Sequence, residues 1–267
     1  MMLEATACNR PVALITGGSS GIGAALAECF VRDGHDVVLV GRDIGRLEAH
    51  ARALQALGGS AVAIQADLSD PKAPAELQAQ LEARRIPVRF LINSAGVGVF
   101  GEFAASPLER NLAMLRLNIM APTELCHLFL KQVSAHGGAI VNVSSLAAFQ
   151  PGPYMAVYYA SKAYLLWFSE AIAWELRPLG VRVMTLCPGP TETRFARQAG
   201  MEASGLIRGK RLADPARVAN GAYRALQSGK RVHVHGIGNR LLALGARLAP
   251  RRWVVAAVAA MSAPRTE

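Results

Sequence analysis

The stretch Val12-Ala13-Leu14-Ile15-Thr16-Gly17-Gly18-Ser19-Ser20-Gly21-Ile22-Gly23, running on into AALAECFVRDG, decides the fold. Its first five residues read as a strand covered on both faces, and the run after Gly23 reads as a helix. The glycines between them let the turn take positive φ and let backbone amides approach a phosphate closely. The helix N-terminus adds amide donors and a partial positive charge, so a pyrophosphate is favoured there. A turn of this kind directly after the first strand of an α/β chain is a dinucleotide-binding feature.

Six further runs rich in Val, Ile and Leu follow: VVLV from Val37, AVAIQ from Ala61, FLIN from Phe90, AIVNVS from Ala139, VRVMTL from Val181 and RVHVH from Arg231. Helix-length segments separate them, which predicts a doubly wound parallel seven-stranded sheet, Rossmann-like, with helices on both faces. Asp70-Pro71, Ser106-Pro107 and Asp214-Pro215 read as a cap residue followed by Pro at the first helical position. Without a linker or repeat, residues 1–237 are expected to form one domain, with 238–267 a helical extension packed on or beside it. The stretch between Leu186 and Arg231 lacks clear periodicity at its start, as mobile or functional loops do.

The chain has 267 residues, 52% hydrophobic and 18% charged, an ordinary globular composition that needs no staples. Cys8, Cys29, Cys126 and Cys187 form no CxxC pair and have no metal-ligand spacing with the histidines, so disulfides and zinc are not expected and a reducing cytoplasm fits. MMLEATACNRPVALITGG carries an early acidic residue and no long apolar run, so no secretory leader is expected. The run Trp253 to Pro264 is too short to span a bilayer. The net charge of +10 is spread out and without an aromatic-interleaved basic motif, which argues against nucleic acid.

The second strand ends at Gly41-Arg42, where NAD-specific folds place a carboxylate on the ribose, so Arg42 favours a 2′-phosphate and hence NADP. Tyr158 and Lys162 are four residues apart on one helix face. An ammonium beside a phenol is expected to lower the phenol's pKa toward neutrality, which suits acid–base chemistry. If Asn142 and Ser144 share one face of their strand, Ser145 points the other way, at the carboxyl end where open α/β sheets place ligands. His233 and His235 alternate on the last strand without a third ligand and read as structural.

Together these residues resemble the short-chain dehydrogenase/reductase family of the compact type, over about residues 10 to 235. The resemblance rests on the TGxxxGxG spacing, Asp67-Leu68, Asn93-Ser94-Ala95-Gly96, Asn118, Ser145 thirteen residues before Tyr158, the YxxxK pair, and Pro188-Gly189 with Thr193. Ser94 departs from it, standing where the family usually has a second Asn. The resemblance implies Tyr158 as proton donor and acceptor, Lys162 as its pKa tuner and ribose ligand, and Ser145 on the substrate carbonyl. Asn118 would hold a water in a proton relay. Gly17, Ser19, Ser20, Gly21 and Ile22 would cradle the NADP(H) phosphates. Asp67, Leu68, Asn93, Ala95 and Gly96 would line the adenosine side, and Pro188, Gly189, Thr191 and Thr193 the nicotinamide.

The activity so implied is hydride transfer between the nicotinamide and a carbonyl or alcohol carbon. Substrate is expected over Ser145 and Tyr158, walled by Val97, Phe100, Gln150, Tyr154, Phe195 and Met201, which favours a lipophilic ketone, 3-oxoacyl thioester or steroid-like compound over a sugar. A homotetramer or homodimer packed through the helices carrying Asn118 and Tyr158 is implied. Two rivals are a non-catalytic dinucleotide sensor or scaffold, which an intact Asn118, Ser145, Tyr158 and Lys162 argues against, and a nucleotide-sugar epimerase, which needs a different glycine spacing and a larger C-terminal domain. In the C-terminal extension Leu241, Leu244 and Leu248 fall on one stripe and Arg240, Arg247 and Arg251 on another, before Pro250 separates a second short helix from Arg252 to Met261. The stripe is expected to pack beside the active site or on a neighbouring subunit, with a weak contact to an acidic membrane surface as the alternative.

Charge-assisted hydrogen bonds such as those Arg42 would make to a 2′-phosphate contribute roughly 1.5 to 3 kcal/mol. NADP(H) is therefore expected to bind at least about tenfold more tightly than NAD(H) in titrations of the purified protein, and equal dissociation constants would remove Arg42 from that role.

Overall fold

A computed structural model describes residues 10–202, 204–209 and 211–263. Its strands are β1 (Val12–Thr16), β2 (Asp36–Gly41), β3 (Ala61–Gln65), β4 (Val88–Asn93), β5 (Ala139–Val143), β6 (Arg182–Cys187) and β7 (Val232–Val234). The helices are α1 (Gly21–Arg32), α2 (Ile44–Ala56), α3 (Ala73–Ala83), α4 (Leu108–Leu115), α5 (Ala121–Ala135), α6 (Ala156–Glu175), α7 (Phe195–Ala199), α8 (Pro215–Gln227), α9 (Ile237–Leu248) and α10 (Arg251–Ser262). All seven runs expected to be strands are strands. They form one sheet in the order β3-β2-β1-β4-β5-β6-β7, parallel throughout. The order reverses between β1 and β4, and a crevice opens at the carboxyl ends of strands at such a point.

Near-continuous apolar strands need cover on both faces, and two separate cores supply it. On one face Leu26 and Phe30 of α1, Leu47 and Leu54 of α2, and Val218 and Ala222 of α8 pack against Ile15, Leu39 and Ile92. On the other, Leu77 of α3 and Leu125 and Phe129 of α5 pack against Leu14, Leu91 and Ile140. Near the carboxyl ends Thr16, Asn93, Asn142 and Thr185 stand in register on β1, β4, β5 and β6, all buried. Asn93 Nδ2 donates to Asn142 Oδ1 (2.8 Å), and Asn142 Nδ2 donates to Ser169 Oγ (2.8 Å), which ties α6 to the sheet.

Three details differ from expectation. Asp214 caps α8 through Ala216 N, but Asp70 instead accepts from Lys72 N, closing a turn before α3 starts at Ala73. Ser106 Oγ bonds Phe103 O and Asn111 Nδ2, so α4 begins one residue later than the Ser-Pro pair suggested. The aperiodic segment after β6 is partly ordered by α7 and by a bridge between Thr191 and Ala213. At the C-terminal end Pro250 does separate two helices, α9 and α10. The apolar stripe of α9 does not pack beside the active site: Leu241, Leu244 and Leu248 are exposed. Cys29, Cys126 and Cys187 are buried free thiols, while Cys8 lies outside the described residues.

Phe30 is only 1% exposed and meets Phe90 and, edge-on, Tyr223, so it joins α1, β4 and α8. Phe30→Ala is expected to cost ~3–5 kcal/mol in urea unfolding, the usual loss for a fully buried phenyl ring.

Candidate active site

At the carboxyl edge of the sheet lies a cleft of about 900 Å³. One half is built on the turn from β1 to α1. Gly21 has φ of +60°, and a Cβ there would stand 2.8 Å from Thr193 Cγ2, so a glycine is needed where this turn meets the loop after β6. Ser20 stands at the N-cap of α1 but makes no capping bond, leaving the first amides of the helix without a side-chain acceptor. Gly17, Ser19, Ser20, Gly21 and Ile22 all line the cleft. Farther along, Arg42 and Asp67 face the same space with Leu68, Ala95 and Gly96. Burial raises the Asp67 pKa, but two hydrogen bonds from Ser69 and the nearby Arg42 guanidinium overcome this and hold it below the ordinary carboxylate value.

The other half centres on Tyr158, Lys162 and Ser145, which α6 and the end of β5 bring to one wall. Ser145 lines the cleft, and its Oγ accepts from Ala147 N (3.1 Å). Ser144 Oγ instead donates to Lys162 O (2.7 Å), fastening α6 to the strand end. Lys162 Nζ donates to Val143 O (2.9 Å) and stands over the Tyr158 ring, 5.8 Å from its centroid. Gly96 passes so close that a Cβ would stand 3.2 Å from this Nζ and 3.3 Å from Asn118 Oδ1.

The phenol is not driven toward neutrality. Burial raises the Tyr158 pKa to about 12, and the hydrogen bond with the Ser145 side chain lowers it only in part. Burial likewise lowers Lys162 to about 8. The cause is physical: the same removal of water that would strengthen an ammonium–phenolate attraction penalises both charged forms. At neutral pH the site therefore holds a neutral phenol above a lysine that still carries its proton.

Asn118 lies in a π-type turn, Arg116–Met120, between α4 and α5. Its amide accepts from Val97 N (3.1 Å) and donates to Val97 O (2.9 Å) and Ser161 Oγ (3.1 Å), so the side chain braces the loop after β4 against α6. Asn93 does not line the cleft. It lies beneath it, buried and bonded to Asn142, because its strand register turns it into the sheet's α5 side. Of the expected substrate wall, Val97, Gln150, Phe195 and Met201 face the cleft. Phe100 and Tyr154 do not; they pack on each other with ring centroids 6.2 Å apart. Tyr154 has φ of +65°, and its carbonyl accepts from Gly101 N, which ties this pair to its own corner. Pro188, Gly189, Thr191 and Thr193 all line the cleft.

Six further residues contribute to the cleft. Thr16 Oγ1 accepts from Ser94 N and Ala95 N (both 3.0 Å), so the turn with Ser94 is held by its backbone. Arg194 Nη2 donates to Ser20 Oγ (3.0 Å) across the cleft. Met155, Leu206, Leu242 and Met261 extend the apolar wall, the last two from α9 and α10. Only Thr16, inside the quoted glycine motif, carried a local signal.

The profile of short chain dehydrogenases matches residues 11–203. Ketoacyl reductase HetN of Nostoc sp. is 32% identical over 227 residues, covering 84% of this chain and 77% of HetN. Two other curated relatives are longer, a short chain dehydrogenase of Pseudocercospora fijiensis, of which the matched region spans 60%, and a probable oxidoreductase of Mycobacterium bovis, of which it spans 33%. Among solved structures, a short-chain dehydrogenase from Sphingobium yanoikuyae in complex with NADPH superposes with a TM-score of 0.79 at 35% identity, covering 89% of this chain and 93% of that one. The bulky-bulky ketone specific alcohol dehydrogenase from Comamonas testosteroni gives a TM-score of 0.76 at 32% identity, covering 90% and 92%.

The buried pair makes stability depend on pH. Lys162 gives up its proton near 8 when folded but near 10.5 when unfolded, so the unfolded chain binds the extra proton in between and stability rises with pH over that window. Tyr158 acts oppositely from about 10 upward, where the unfolded phenol ionises first and stability falls. The stability difference between Lys162→Met and the parent is expected to change by up to ~3 kcal/mol in the parent's favour between pH 8 and 10.5, measured by urea unfolding. A flat difference would overturn the buried ammonium.

Proposed function

Because the chain belongs to the short-chain dehydrogenase family, we propose that it is an NADP(H)-dependent oxidoreductase that reduces a lipophilic ketone or 3-oxoacyl group to the alcohol, or runs the reverse. The observation that carries this reading is Tyr158 with Lys162 Nζ over its ring, 5.8 Å from the centroid, and Ser145 beside it, at the wall of a cleft whose other half is a glycine turn with Arg42. The cleft residues fit a dinucleotide. The uncapped amides of α1 suit its phosphates, and Arg42 suits a 2′-phosphate. NADPH would supply the hydride when bound.

The chain's own residues do the rest. Ser145 would hold the carbonyl oxygen and Tyr158 would give it the proton, while Lys162 would hold the ribose of a bound dinucleotide and keep positive charge over the phenol ring as the proton leaves. A phenol with a pKa of about 12 is fully protonated at neutral pH, which is the form a reductase needs. Asn118 fixes the loop carrying Val97 and from there would hold the water of a proton relay past Lys162. The wall from Val97, Met155, Phe195, Met201 and Leu242 suits an apolar substrate. HetN's name and the Comamonas enzyme's specificity for bulky ketones support the same class.

We place the enzyme in the cytoplasm, in keeping with its free buried thiols; no helix among the described residues is long and apolar enough to cross a membrane. Assembly into a homodimer or homotetramer through α5 and α6 is supported by the exposed Trp167 and Trp174 on α6.

Tyr158→Phe keeps the ring and removes the proton. Turnover is expected to fall ~10²–10⁴-fold while NADPH binding persists. A variant retaining more than about a tenth of parental turnover would end the proton-donor role.

A further inference from the structure

We infer that α9 and α10 form a docking face for an anionic lipid bilayer. On α9, Ile237, Leu241, Leu244 and Leu248 make a single stripe, respectively 76%, 65%, 54% and 77% exposed. At 1.5 Å per residue the stripe is ~16 Å long. Trp253 at the start of α10 is exposed as well. The stripe is not a frayed end: Ala243 on the opposite side of α9 is buried, Asn239 Nδ2 donates to His235 O (2.7 Å), and Arg240 Nε donates to Val234 O (3.0 Å). The helix is anchored by one face and presents the other.

Charge decides the occupant. From Pro215 to Thr266 the chain carries nine Arg or Lys and no Asp or Glu. Arg240 and Arg247 flank the stripe, and Arg251 and Arg252 stand at the junction of the two helices. Apolar side chains edged by arginine, with a tryptophan at their border, fit an interface where tails meet anionic headgroups. A second copy of this chain fits poorly, because a two-fold contact would set Arg240 and Arg247 near their own copies with no acidic side chain in the segment to offset them. The same two helices supply Leu242 and Met261 to the cleft, so docking sets the cleft beside the lipid, where an apolar ketone would partition. That last consequence rests on the proposed activity; the docking itself does not.

The test is sedimentation of the full-length protein with vesicles of phosphatidylcholine alone or with about 30 mol % phosphatidylglycerol, at low and high salt, beside sedimentation equilibrium without lipid. Binding to the anionic vesicles is expected to exceed that to the neutral ones by about tenfold or more and to weaken severalfold as salt rises. Leu241→Glu with Leu248→Glu, both at exposed positions, should abolish it, and Arg247→Gln with Arg252→Gln, which leaves the Arg240 bond to Val234 O in place, should weaken it. Both variants should keep parental thermal unfolding and NADPH affinity. Full-length protein that ignores anionic vesicles at every salt concentration overturns the inference, as does binding unchanged by the leucine pair. Self-association in solution that the leucine substitutions dissolve, without vesicle binding, assigns the face to a second copy instead.

Discussion

A lysine ammonium held out of water organises the catalytic end of this chain. A buried charge is tolerated only with hydrogen-bond partners, and Lys162 finds one at Val143 O, where β5 runs out. That bond fixes α6 against the strand end, and Ser144 and Asn142 repeat the attachment through Lys162 O and Ser169. Gly96 passes close to the same groups, so that a Cβ there would crowd Nζ at 3.2 Å and Asn118 Oδ1 at 3.3 Å. The π-type turn between α4 and α5 belongs to the same arrangement, since it sets Asn118 against both Val97 and Ser161.

The cofactor half rests on a different economy, in which backbone groups are satisfied by single hydroxyls. Thr16 Oγ1 takes two amides from the loop after β4, and so joins the ends of the two strands between which the sheet order reverses. Arg194 reaches Ser20 from the loop after β6, which ties that loop to the glycine turn. Arg42 and Asp67 stay at the far rim, the guanidinium helping to keep the carboxylate charged.

The last two helices finish the molecule on two sides at once. Their inner residues complete an apolar wall over Tyr158, and their outer residues leave leucine and arginine in water. A helix apolar on both sides of its axis has more to bury than one cleft can accept.

The strands, their parallel arrangement, the glycine turn, and the placing of Tyr158, Lys162, Ser145 and Arg42 at one edge were legible because each follows from short-range rules: alternation of element types, turn chemistry, and helical spacing. The sequence also contained the break at Pro250. Only the tertiary structure decided that Asn93 lies beneath the cleft, that Phe100 and Tyr154 turn away from it, and that Arg194, Leu242 and Met261 belong to it. It also decided the protonation of the pair on α6. Proximity of an ammonium to a phenol can be read from a spacing of four, but the cost of removing both from water depends on every residue packed around them, and those neighbours come from β4, β5 and the loop after β6, far away along the chain.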